Sequence, residues 1–286
     1  MSELFGGNEG RQVLDYCTKL GYGSREYFVN GAWTQDRQGQ IRGFRFNIEA
    51  IHPTVEALAG IWRYIKEKSV QPPEKPDKVL EQLARALFIP EKLRIFSPWG
   101  PRYYKETPRI EEGDPEVRTI REMKEVLNII KGSGFTIDFL LMPADLYGTE
   151  VNNFASDFVR EYFQWVGEWA CKELGTEVTV KPWSAIRNEQ IRRYDDLRTE
   201  IDKNFKRWVK EGEYRTAVGV ARRFSPERAE ESARRYCIER LAEGNIISEV
   251  YDPIKVSLVK KEKDVLDGPL KRVYIIRNRK PWMGGE

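Results

Sequence analysis

The residues best suited to chemistry gather after three strand-like runs. Trp99, Arg102, Tyr103, Tyr104, Lys105 and Arg109 follow the run from Leu93 to Phe96, among Gly100, Pro101 and Pro108. Flat rings and cations on a proline-stiffened backbone suit an anionic or aromatic small molecule. Asp145, Tyr147 and Glu150 follow the apolar run from Phe135 to Met142, which Pro143 ends. A carboxyl just beyond an apolar strand stands at a rim that is dry on one side. Partial desolvation there raises its pKa and makes it useful as a base. Asp145 is therefore the candidate acid–base group, with Tyr147 and Glu150 as catalytic companions; the same position also suits a turn or helix-cap aspartate. The third run, Thr176 to Val180, leads through Lys181 and Pro182 to Trp183, Ser184 and Arg187. Arg102, Lys105, Lys181 and Arg187 could converge on a phosphate, and Ser97, Trp99, Tyr103, Arg240 and Lys255 complete the candidate substrate-binding set.

These residues need a scaffold that brings three loops together. If the runs are parallel strands with helices between them, all three loops leave one edge of a sheet, where open α/β folds bind ligands. The intervening pattern supports this. Val55, Leu58, Ile61 and Ile65 lie on one helical face, and Val79, Leu80, Leu83 and Leu87 on another. Asp114-Pro115-Glu116 is a helix start, with proline just inside and acid at the positive end of the dipole, and Gly132 with Gly134 is its stop. Phe154 to Leu174 reads as a helix whose Phe158, Tyr162, Trp165 and Trp169 stripe belongs to the core rather than to a stacking platform. A long helix is expected from about Asn188 to Lys210, and Tyr214 to Arg223 fits strand or helix. Ser225-Pro226 opens a helix to Gly244, and strands follow at Lys255–Val259 and Lys271–Ile276. Ser97-Pro98 is expected to take the first strand out of its ladder. The expected fold is a three-layer α/β domain with a Rossmann-like, mainly parallel sheet over residues 54–286. A small N-terminal segment, residues 1–53, precedes it, with a β-hairpin between Tyr27 and Ile48.

Composition removes several function classes. The 286 residues carry 48 Lys and Arg against 45 Asp and Glu, so a net charge of +3 leaves room only for a local nucleic-acid patch. Cys17, Cys171 and Cys237 lie far apart without a CxxC, which suggests neither a zinc site nor a disulfide framework. His52 is the single histidine, so no imidazole pair can hold a metal, and its place before Pro53 suits a helix-entry loop. There is no GxGxxG after a strand, no GxxxxGKS and no HExxH. No cofactor and no metal are expected. No apolar run reaches the ~18 residues of a spanning helix, and the start lacks the apolar core of a signal peptide, so a cytoplasmic protein is expected.

From about residue 54 onward the order of elements resembles the isonitrile synthases of the PvcA type. Phe96-Ser97-Pro98 followed by Lys105 stands where that family has a strand entering an FPxKSPN-like loop. Asp114 to Lys131 resembles its D-x-x-E helix, and the MPAD turn places Asp145 on the family aspartate. Arg240 with Ala242, the strand Pro253-Ile254-Lys255-Val256-Ser257 and the terminal Pro281-Trp282 resemble later family segments, although Met283 stands where the family has histidine. Less of the chain is similar to cyclodipeptide synthases: Ser97-Pro98, Trp183-Ser184-Ala185-Ile186, and Tyr236 with Glu239, with Pro101 at the place of that family's nucleophilic serine. The first resemblance implies an enzyme of isonitrile-synthase-like transferase or lyase chemistry, without a metal. It would act on an aromatic amino acid together with a phosphorylated small molecule. The alternative is a tRNA-dependent, cyclodipeptide-synthase-like transferase or an RNA-binding protein using the cations between Arg187 and Arg207, among which Asp195, Asp196, Glu200 and Asp202 are interleaved.

Overall fold

The computed structural model describes residues 31–35, 41–46, 53–68, 73, 75–88, 91–100, 107–223, 226–257, 266 and 268–274. Strands β1 (Gly31–Gln35) and β2 (Ile41–Phe46) pair antiparallel, with a register shift between Thr34 and Gln35. They form the hairpin expected in the N-terminal segment. Helices α1 (Pro53–Lys68) and α2 (Pro76–Phe88) then lead to β3 (Leu93–Trp99). After it come α3 (Pro115–Gly132), β4 (Ile137–Pro143), a π-helical turn (Tyr147–Val151), α4 (Ser156–Leu174) and β5 (Val178–Val180). The chain continues through α5 (Trp183–Glu189), α6 (Ile191–Lys203), α7 (Phe205–Trp208), α8 (Glu211–Ala221) and α9 (Ala229–Tyr251) to β6 (Ile254–Ser257) and β7 (Lys271–Tyr274).

The five later strands form one sheet in the order β5-β4-β3-β6-β7, and every neighbouring pair is parallel. The order runs outward in both directions from β3, which is the doubly wound, Rossmann-like arrangement. Side-chain alternation sorts the core into two layers. Leu93, Ile95, Trp99, Phe139, Leu141, Ile254 and Val256 pack toward α1 to α4, whereas Phe96, Leu140 and Met142 pack toward α5 to α9. The strands are apolar on both sides because both faces are covered. Tyr162 is fully buried in the first layer, with Phe158, Trp165 and Trp169 packed against its edge, so the α4 aromatic stripe does belong to the core.

Several expected boundaries move, each for a physical reason. β3 does not leave its ladder at Ser97-Pro98: Pro98 pairs with Met142 and Trp99 with Pro143. The Leu93 amide donates to Thr136 and the Trp99 carbonyl accepts from Ala144, so odd-numbered residues of β3 turn their polar groups to β4. Pro98 therefore faces β6, whose pairing with β3 has ended at Phe96, and no ladder bond is lost. The helix expected from Asn188 to Lys210 begins earlier, at Trp183, and breaks at Gln190 and Asn204, both near φ −110°. Ile186, Tyr194, Leu197 and Ile201 remain buried across the first break, so apolar spacing cannot register it. The ambiguous 214–223 stretch is helical. After a 3-10 turn at Pro226–Arg228, α9 runs past Gly244 to Tyr251, because Gly244 is a buried contact beside Gly268 and not a stop. Asp252, in the left-handed region at φ 42°, ends it.

None of the described helices is long and apolar enough to cross a membrane. Phe139 is fully buried at the centre of the sheet. Phe139→Ala should cost about 3–5 kcal/mol of stability, as expected when a buried aromatic ring leaves a cavity, and urea unfolding of the two proteins side by side measures it.

Candidate active site

Because β3, β4 and β5 are parallel, their C-terminal ends lie along the same edge of the sheet. The β4 and β5 loops are joined there by side chains. Asp145 is half-buried, and its Oδ1 accepts the backbone N–H of Ser184 at 3.0 Å. The N-cap of α5 is Pro182, which has no side-chain acceptor to offer. Asp145 therefore caps α5 from a different segment of chain, which satisfies the cap reading of this residue. Among the described residues its Oδ2 takes no hydrogen bond, so one carboxyl oxygen remains at the rim. Five residues on, Glu150 meets Arg187 of α5 in a two-pronged pair, at 2.9 and 3.2 Å.

The floor under these loops is α9. Glu239 and Glu243 lie one helical turn apart, 6% and 0% exposed, an unusual depth for carboxylates. Each is met by donors. Glu239 accepts hydrogen bonds from Trp183 Nε1 at 2.5 Å and Tyr194 Oη at 2.6 Å, and Arg187 Nη1 lies 3.7 Å away. Glu243 accepts from Tyr147 Oη at 2.8 Å and pairs with Arg240. Burial pushes the Glu239 carboxyl above the ordinary carboxylate range, against the pull of Tyr194, Trp183 and Arg187. Burial and the Glu243 charge hold the Tyr147 phenol well above its usual value, so at neutral pH Tyr147 is a donor and not a base. For Arg187, burial works against the charge, but Glu150 and Glu239 outweigh it and keep the guanidinium ionised. Its ring-stacked face lies 5.1 Å over Tyr194.

The remaining candidates divide. Lys181, at the end of β5, is turned to Glu189 at 2.6 Å and to Tyr251 at 3.5 Å. Arg240 is sealed in by Glu243, and Lys255 is 2% exposed within β6. Ser97 and Trp99 are buried, and Trp99 packs on the other face of the sheet from Tyr147. Its indole N–H is donated to Tyr162 Oη at 3.1 Å, so the ring belongs to the core and does not stand beside Asp145. Arg102, Tyr103, Tyr104, Lys105, His52 and the terminal Pro281-Trp282 lie outside the described residues. Of the cations expected to form a basic helix, Arg187 and Arg193 are neutralised by Glu150 and Glu249. Burial pushes the Cys237 thiol up to about 12, which leaves it without nucleophilic character. Among the described residues no group of three His, Cys, Asp or Glu could hold a metal ion.

Sequence reasoning missed Glu243, and it met Glu239 only through a family resemblance. The signal is visible in retrospect: two acids four residues apart, flanking Arg240, within the otherwise largely apolar stretch from Cys237 to Ile247.

No family model matches this chain, and no curated protein matches its sequence. Solved structures do. The PvcA protein of Pseudomonas aeruginosa overlays with a TM-score of 0.54 at 12% identity, over 79% of this chain and 86% of that one. The likeness is one of fold. At that level the distant resemblance to the PvcA-type proteins holds. A CDPS of Staphylococcus haemolyticus overlays at 0.44, with 13% identity, over 65% of this chain and 92% of that one. The tyrosyl-tRNA synthetase of Aeropyrum pernix overlays at 0.47, with 13% identity, over 77% and 62%.

Two stability predictions follow from the buried carboxylates and the cap. Glu243→Ala should cost about 3–5 kcal/mol, because it removes the buried carboxylate that pairs with Arg240 and accepts from Tyr147. Asp145→Ala should cost about 1 kcal/mol through the lost cap, while Asp145→Asn keeps an acceptor for Ser184 and should cost less; denaturant titration of the three variants gives the order. Glu239 also sets a pH dependence. Its pKa is higher folded than unfolded, so the folded state binds the extra proton between the two values. Its contribution to stability therefore falls as pH rises from the ordinary carboxylate range through the raised value. Glu239→Gln should flatten that part of a melting temperature against pH curve.

Proposed function

We propose that this protein is an enzyme that acts on an amino acid, an aromatic one, with a phosphorylated small molecule as second substrate. The observation that carries the reading is the junction of the β4 and β5 loops: a rim carboxylate, Asp145, and an ionised guanidinium, Arg187, on one short stretch of the strand-end edge. A zwitterion presents one charge of each sign a few ångströms apart, and paired groups of opposite sign are what bind it. Tyr236, stacked edge-on against Tyr147 at 5.7 Å, supplies aromatic surface beside them. Asp145 moves a proton to or from the substrate amine through Oδ2, while Oδ1 stays on Ser184 and fixes the carboxyl plane. Tyr147 and Glu150 shape the same turn. The phosphorylated partner rests on the sequence resemblance to isonitrile synthases, and the overlay on PvcA is consistent with it at the level of fold. Residues 54–286 are the catalytic unit in this reading, with residues 1–53 as a separate segment.

Thermal-shift screening of amino acids and sugar phosphates tests it first, because a ligand that binds only the folded state raises the melting temperature with concentration. An upward shift with aromatic amino acids is expected; none at concentrations far above a millimolar constant would sink the proposal. Once turnover is detected, Asp145→Asn should lower it by about a hundredfold or more, the scale of a general acid–base group, with the melting temperature nearly unchanged.

A further inference from the structure

Arg187 differs from the other paired cations in how it is held. Behind it stand the buried Glu239, 3.7 Å from Nη1, and the Tyr194 ring, 5.1 Å from the guanidinium carbon. In front stands a single carboxylate, Glu150, whose side chain is 47% exposed against 18% for Arg187. Nε is shielded from solvent and has no hydrogen-bond partner among the described residues, so Glu150 does not exhaust the guanidinium. Arg193 makes the same two-pronged contact with Glu249, but both of those side chains are about half exposed, at 46% and 47%. Arg240 is the opposite case, locked to a carboxylate that is fully buried. Only Arg187, among these, is anchored from the interior and capped from the solvent side.

A carboxylate that is half exposed in such a pair is exchanged at modest cost, because water solvates it when it leaves. The flat two-donor face of arginine fits a second planar carboxylate in the same geometry. Exchanging one carboxylate for another leaves the charge at the fork unchanged, so the swap adds no uncompensated buried charge. Glu150 also lies on the π-helical turn Tyr147–Val151, the kind of widened turn found at functional sites.

Resting on the amino-acid reading above, we infer that Arg187 is the receptor for the α-carboxylate of the ligand and that Glu150 is an internal stand-in which the ligand displaces. The stand-in lowers apparent affinity, because only the fraction of molecules with an open fork can bind. A strut with no role in binding would leave affinity unchanged when removed, or reduce it.

The test is calorimetric titration of the full chain, wild type, Glu150→Gln, Glu150→Ala and Arg187→Lys. The probes are L-tyrosine and L-tryptophan, the amines tyramine and tryptamine, which lack the carboxylate, and inorganic phosphate. The expected result is binding of the amino acids about threefold to tenfold tighter in Glu150→Ala than in wild type, with Glu150→Gln between them and the amines unaffected. Arg187→Lys keeps the charge but loses the fork, and should weaken the amino acids by about tenfold or more. Melting curves confirm that each variant is folded. Amino acids bound by wild type equally well or better than by Glu150→Ala would overturn the exchange while leaving the amino-acid reading standing. A gain for phosphate without one for the amino acids would overturn the carboxylate assignment. No amino-acid binding by wild type or either Glu150 variant would overturn the proposed function itself, and this inference with it.

Discussion

Burying Glu239 and Glu243 one turn apart on α9 takes two carboxyl groups out of water, and each must be met by donors from elsewhere in the chain. The donors come from the elements that end at the carboxyl edge of the sheet. Trp183 and Arg187 arrive with α5, Tyr194 with α6, and Tyr147 with the turn after β4. The requirement to neutralise α9 therefore fixes where two strand-end loops lie. Asp145, capping α5, and Glu150, on Arg187, are held one step further out by the same constraint.

The two faces of the sheet solve different problems at this edge. On the α1–α4 side a buried chain runs from Trp99 Nε1 to Tyr162 Oη and on to Glu116 Oε1, at 3.1 and 3.4 Å. Glu116 lies in the first turn of α3, where the helix dipole favours negative charge. That chain ties the last residue of β3 to two helices. On the α9 side, the polar groups are more numerous and reach the surface through Arg187 and Glu150. Trp99, which ends β3, and Tyr147, which follows β4, thus lie in separate cores.

The parallel sheet was legible because it depends on features with a short range: apolar runs, proline stops, and the Asp114-Pro115 helix start all act within a few residues. The end of β3 was not, because the tolerance for Pro98 depends on where β6 stops pairing, and β6 lies far along the chain. The breaks at Gln190 and Asn204 were hidden by a buried face that continues across the first of them. At the site, the residue types after β4 and β5 were readable as candidates, and Asp145, just after β4, and Arg187, on α5, do lie on adjoining segments. Their partners were not readable. Hydrophobic periodicity treats a buried glutamate as a polar position and assigns it to solvent, so Glu243 gives no signal until its tyrosine and arginine are found beside it. Trp99 shows the reverse error, since a tryptophan after a strand looks like a ligand platform until a partner for its N–H appears in the core.

The strand order has a consequence for how the chain reaches this state. β3, β4 and β5 are joined through single helices, and their pairings run from Leu93 to Val180. β6 adds to β3 through only the pairs at Ile95 with Ile254 and Phe96 with Lys255, across most of the chain. Closing so long a loop costs entropy before its few contacts return anything. The β5-β4-β3 half should therefore assemble early as a partly covered sheet, and α9, β6 and β7 should dock late, carrying the two glutamates to donors already waiting for them. In hydrogen-exchange terms, the amides of β6 and β7 would open in sub-global events that leave β3 and β4 protected.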